Sequence, residues 1–311
     1  MDTKEMNMKE IEKPAKKKGK VGAVFFGLLI LLIYITLVSI PQLFVLIPAV
    51  LQASTESMAL YDPVTQPNEY MQSYMDTYLQ KMQDYGAAVT TVTAIGTLVA
   101  VIVVVLWYYF GVYKKNKMAG MANESVWAKL KNVKSIAFIV IGSIATYAFA
   151  MLIYNVIEIC APNLVEIYQL SMGSVLGGAE ILGSIVAVVF APIGEETALR
   201  GLVMNRAKKS FGLIGCMVLS GILFGVFHMN PVQGLYAIPI GMFYGFVAYK
   251  YKSVIPAIIC HFINNLIAMT IGGLFTNTIV DIIVILVLGA VTVWIGSKID
   301  YFRNGKVAVN D

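Results

Sequence analysis

Eight mostly apolar stretches punctuate this chain, near 22–47, 88–112, 135–157, 177–198, 212–228, 232–250, 254–275 and 278–297. A bilayer crossing takes about 20 such residues. In lipid, every backbone N–H and C=O must be satisfied within the crossing segment, so runs of this length fold as helices. The reading is therefore an all-α, polytopic membrane protein with about eight transmembrane helices. The fifth and sixth stretches are short, separated by little more than "MNPV". Composition agrees: 58% of residues are hydrophobic and 13% charged, where a soluble domain sits near one half and one quarter. Pro41 and Pro48 are expected to kink or end the first span. That span is too long for a signal-peptide core and is read as retained.

Lysine and arginine set the orientation. The first twenty residues hold seven lysines, and segment 113–134 holds six. Arg206, Lys208 and Lys209 follow the fourth span. Lys250 and Lys252 follow the sixth, and Lys298, Arg303 and Lys306 the eighth. The alternate connections are nearly bare: 52–86 holds only Lys81, and 158–176 holds none. Basic connections stay in the cytoplasm, so both termini are expected there. The net charge of +5 is a topology signal of this kind and implies no nucleic-acid partner. The expected division is a basic cytoplasmic tail 1–20, a membrane region 21–175 with an outer loop 52–86, a helical core 176–275, and a final helix and tail 276–311. The tail is read as disordered or lying on the anionic inner surface.

Within the outer loop, Tyr70, Tyr74, Tyr78 and Met82 recur every four residues. That spacing predicts an amphipathic helix, an extension of the second span resting at the interface. Cys160, Cys216 and Cys260 fit no metal spacing and read as small buried hydrophobes.

Ionisable groups inside a membrane are costly and persist when paired or functional. In the second half the candidates are Glu180, Glu195, Glu196, Arg200, His228, His261 and Asp281, with the neutral Asn264 and Asn265. Glu180 and Asp281 fall near span ends, where water is expected to reach them. The chain has two histidines, and both lie in or at the edge of a span. Residues four apart share a helix face. Glu196 and Arg200 then form an intrahelical ion pair, Phe224 stacks with His228, and His261 with Asn265. Glu195 points about 100° away from Glu196. It has no local partner and is free to act as a base.

These pairs fall in order as "EETALR", "FGVFH" and "HFINN", that is EExxxR, FxxxH and HxxxN on successive late spans. The region 177–270 resembles the CPBP family, the CAAX-protease and bacteriocin-processing or Abi family, related to type II CAAX prenyl endopeptidases. The resemblance implies an intramembrane, metal-independent glutamic endopeptidase in the cell membrane. It makes Glu195 the base that activates a water, with His228 holding that water. His261 and Asn265 become the oxyanion hole, while Glu196, Arg200 and Phe224 support the site. Its substrate is a peptide or membrane-anchored protein segment, such as a peptide pheromone, leader peptide or bacteriocin precursor. The resemblance implies no cofactor and no metal. A water-filled cavity opening to the cytoplasm is expected.

One point of depth is unresolved in sequence. His228 lies 17 residues beyond Phe211, whereas Glu195 and His261 fall within about two turns of the inner surface. The fifth span must start deep, tilt or break. Three rivals stand beside the hydrolase reading. A zinc-dependent metalloprotease would use the two histidines and a glutamate. A Ser220–His261 dyad would place its serine in mid-helix. A non-catalytic immunity or regulatory protein of the same family would use none of these groups chemically.

Overall fold

The computed structural model describes residues 17–118, 126–176, 180–275 and 277–304. The basic tail 1–16 and the terminal segment 305–311, with Lys306, lie outside the described residues. The described residues form helices joined by turns, with no strand among them.

Helix α1, Lys17–Leu60, runs unbroken for 44 residues through both Pro41 and Pro48. Neither proline ends it, so of the two expected outcomes, a kink or an end, ending does not occur. At 1.5 Å per residue it spans roughly 66 Å, against about 30 Å of hydrocarbon. Its far end therefore projects beyond the membrane. Helix α2, Pro67–Asp84, packs on that projection and leads into the second span through the single residue Tyr85. Four side-chain contacts tie the two together or anchor the turn that follows: Ser54–Tyr70 at 3.2 Å, Ser73–Ser57 at 3.1 Å, Tyr85–Gln52 at 2.8 Å and Lys81–Glu56 at 2.9 Å. The predicted tyrosine repeat is a ladder of stacked rings, with centroids 6.3 Å apart for Tyr70–Tyr74 and 6.2 Å for Tyr74–Tyr78.

Helix α3 begins at Gly86 and continues through a π-helical turn, Tyr109–Tyr113, to Met118. A short helix α4, Val126–Leu130, precedes α5, Val133–Cys160, whose start is capped by Asn132 accepting from the Lys134 amide. Helix α6, Pro162–Leu176, connects the far end of α5 to α7. Helix α7 covers 180–207 and contains two π-helical segments, Val186–Phe190 and Thr197–Val203. Helices α8, Leu213–Phe227, and α9, Pro231–Tyr251, are joined by a three-residue turn. Helix α10 is Ile255–Thr270, α11 is Thr278–Ser297, and a short α12, Asp300–Asn304, closes the described chain.

Six of these helices are long and apolar enough to cross a membrane, while α8 and α10 are apolar but shorter. The eight stretches of the sequence thus appear as six long helices and two short ones. Helix α7 sits centrally, against α1 and α3 on one side and α8, α9 and α10 on the other. Helix α5 backs α9, α10 and α11. Small residues let α8 and α9 approach closely, as membrane helices commonly do. A methyl group on Gly225 would lie 2.7 Å from the Gly234 carbonyl oxygen.

The basic end of the bundle is locked by polar contacts. Lys129, 3% exposed, donates to the Tyr251 carbonyl at 3.0 Å. Lys250 donates to the Phe302 carbonyl at 2.7 Å, which pins α12. Two further expectations need correction. Asp281 is not reached by water: it is 0% exposed and accepts from Asn155 at 3.0 Å. Helix α11 lays its first turn against α5, which covers that carboxylate. Cys160 is exposed rather than buried, because α5 ends there; Cys216 and Cys260 are buried.

Candidate active site

Helices α7, α8, α9 and α10 bring one polar cluster together inside the apolar bundle. Helix α7 supplies Glu195, Glu196 and Arg200, all buried, between and within its two π-helical segments. Such segments re-aim side chains and are frequent at functional sites. The Arg200 Nη1 donates to Glu196 Oε1 at 2.9 Å, the pair expected from their spacing. The other arm, Nη2, donates to the Gly241 carbonyl of α9 at 2.6 Å. Gly241 is required there: a methyl group would lie 2.9 Å from Phe224 Cβ.

Glu196 has a second partner that spacing did not reveal. His261 Nδ1, from α10, lies 3.1 Å from the same oxygen, Oε1. Tyr244 stacks on the His261 ring at 5.2 Å between centroids, and Arg200 lies over the Tyr244 ring at 5.4 Å. Phe224 of α8 is the hub. Arg200 covers its face at 5.1 Å, His261 meets its ring at 5.3 Å, and His228 meets it at 4.7 Å.

His228 stands just beyond the last turn of α8. Its Nδ1 lies 2.7 Å from the Phe224 carbonyl. A carbonyl only accepts, so Nδ1 carries the proton and Nε2 keeps its lone pair. Helix α8 starts at Leu213 and is unbroken, so it carries His228 roughly 22 Å inward from the basic end. His228 reaches the Glu196–His261 pair through Phe224, one turn below it.

A cavity of about 280 Å³ borders this cluster. His228, His261, Asn264, Asn265, Phe224 and Tyr244 contribute to its wall; Glu195 and Glu196 do not. Asn265 Nδ2 donates one proton to the Ala187 carbonyl at 2.7 Å and retains a second N–H. Buried polar atoms without a hydrogen-bond partner gather here: Glu195 Oε2, Glu196 Oε2, Arg200 Nε, the Tyr244 hydroxyl and both amide atoms of Asn264. Natural proteins tolerate few such atoms, and those they keep call for a functional account.

Sequence reasoning missed Tyr244 as a site residue and passed over Asn264. Asn264 is three residues from His261, a spacing that also shares a helix face. No signal in the sequence separates Tyr244 from the chain's other tyrosines. Among the described residues, no three His, Cys, Asp or Glu side chains converge as a metal-binding group would.

Apolar helices around a buried cluster of carboxylates, imidazoles and amides make this a multi-pass membrane protein with a polar centre. Residues 176–267 match the Rce1-like family, described as type II CAAX prenyl endopeptidase. The match covers less than a third of the 311 residues, and it supports membership of the CAAX protease or CPBP family and, with it, peptidase activity. No curated protein and no solved structure matches it significantly.

Proposed function

We propose that this protein is a metal-independent glutamic endopeptidase of the cell membrane, cleaving a peptide or membrane-tethered segment with water activated by Glu195 and His228. The observation that carries the reading is the fixed tautomer of His228. Its Nδ1–H is held by Phe224, and its Nε2 lone pair is left to accept from a water. Glu196 Oε1 is engaged with Arg200 and His261. Glu195 Oε2, buried and without a partner, is the carboxylate oxygen free to take a proton.

In the proposed reaction the water oxygen bonds to the scissile carbonyl carbon while its proton passes to Glu195. The carbonyl electron pair becomes an oxyanion facing His261 and Asn265. Collapse of that intermediate breaks the C–N bond, and the Glu195 proton goes to the leaving nitrogen. Asn265 offers its second N–H to the oxyanion. His261, already donating through Nδ1, must carry both ring protons to donate through Nε2, and Glu196 sits against that charge. Each such donor typically supplies about 3 kcal/mol.

The reading asks Glu195, which lies behind the cavity wall, to meet a water held by His228. Comparison of membrane peptidomes from cells carrying wild-type protein and Glu195→Gln tests it. A peptide that accumulates only in the variant is the expected result. Identical peptidomes with normal insertion of both proteins would contradict it and favour a non-catalytic role.

A further inference from the structure

The cavity has a direction. The basic residues Lys129, Lys131 and Lys134 precede or begin α5, Lys208 and Lys209 join α7 to α8, and Lys250 and Lys252 join α9 to α10. All of these mark one end of the bundle. The cavity wall comes from the other end. In α5 it runs from Tyr147 to Tyr154, in α8 it takes the last turn, in α9 it begins at Gln233, and in α10 it spans His261 to Ala268. Tyr154 lies 21 residues beyond Val133, roughly 32 Å along the helix, which is a full membrane thickness. Tyr168 of α6, the connection remote from the lysines, completes the wall.

The described residues at the mouth are polar but uncharged. Tyr154, Tyr168 and Gln233 are partly exposed there. Tyr168 bonds the Tyr236 hydroxyl at 2.8 Å, and Gln169 donates to the Tyr154 hydroxyl at 2.9 Å. Among the described residues, no Lys, Arg, Asp or Glu lines the cavity, whereas five tyrosines do. A wall of that kind accepts an apolar or aromatic side chain and leaves a charged one without a partner. At the basic end, a separate pocket of about 50 Å³ reaches Arg200. It has room for no more than a few waters, and neither imidazole lines it.

Basic connections face the cytoplasm. We propose that the protein takes its substrate from the non-cytoplasmic face, as a peptide segment that inserts an uncharged apolar or aromatic side chain among Tyr147, Tyr154, Tyr168, Tyr236 and Tyr244. The proposal differs from the expectation, drawn from sequence, of a cavity opening to the cytoplasm. The proposal rests on the reading of the His228–His261 wall as the active site.

Two measurements test it and keep the two readings apart. The first labels Gln233→Cys, in a Cys160→Ser background, with a membrane-impermeant maleimide, alongside Lys208→Cys in the same background. Intact cells should label the first and not the second until permeabilised; the reverse pattern overturns the proposal. The second adds quenched peptides with a central Phe, Leu, Lys or Asp to right-side-out and inverted membrane vesicles. Cleavage by right-side-out vesicles, at least 10-fold faster for Phe and Leu than for Lys and Asp, is expected. Cleavage by inverted vesicles alone overturns the proposal and leaves the protease standing. Outside labelling with no cleavage by either vesicle type, or after detergent, removes the protease reading and the proposal together.

Discussion

His261 Nδ1 and Glu196 Oε1 lie 3.1 Å apart, and the same oxygen accepts from Arg200 at 2.9 Å. One buried carboxylate oxygen thus fixes a cation on its own helix and an imidazole on another. Removing Glu196 leaves the Arg200 charge buried beside two aromatic faces. Losing one member of a buried ion pair costs about 3–5 kcal/mol, whereas replacing both members by apolar groups can cost far less. Glu196→Ala should therefore melt well below wild type. Glu196→Ala combined with Arg200→Met should recover much of the loss. Thermal unfolding of the three purified proteins in detergent checks this, and a double variant weaker than the single one would contradict it.

His228 is half-buried at a helix end and makes one hydrogen bond, to the Phe224 carbonyl. Its loss should cost about 1 kcal/mol of stability. As the group that holds the attacking water, it should matter far more to rate, by roughly 10²–10⁴-fold. His228→Ala is thus expected to fold and melt nearly as wild type and to cleave peptide at that reduced rate. Full activity would remove His228 from the mechanism.

Met229 follows directly, with φ at 51° and 75% of its surface exposed. A left-handed backbone costs a non-glycine residue about 1–2 kcal/mol, partly offset by the greater freedom glycine loses on folding, about 0.5–1 kcal/mol. Met229→Gly should unfold at or slightly above the wild-type temperature. Met229→Val, β-branched and worse suited to positive φ, should unfold below it. The reverse order would show that the turn between α8 and α9 does not hold this conformation.

The helices and the Glu196–Arg200 pair were legible in the sequence because both follow from local periodicity. The apolar runs of about 20 residues have one solution in lipid, and an acid four residues before a base meets it on any regular turn. What depended on tertiary packing was not legible. The two π-helical segments of α7 shift side-chain directions, so a spacing argument from an ideal helix does not fix where Glu195 points. Pro41 and Pro48 sit inside a helix that continues through them, as proline can in a membrane helix whose freed groups find partners. Asp281 looked accessible near a span end, but Asn155, 126 positions away, covers it. The stacking of Tyr244 on His261 and the direction of the cavity needed three helices in place at once.

Kinetics of purified Glu195→Gln bear most directly on the proposed mechanism. The amide keeps the size of the side chain and loses the base. With a peptide that the wild-type protein cleaves, kcat should fall by at least about 10²-fold, with KM and melting temperature close to wild type. A variant that keeps kcat within a few-fold of wild type would contradict the assignment of Glu195 as the base.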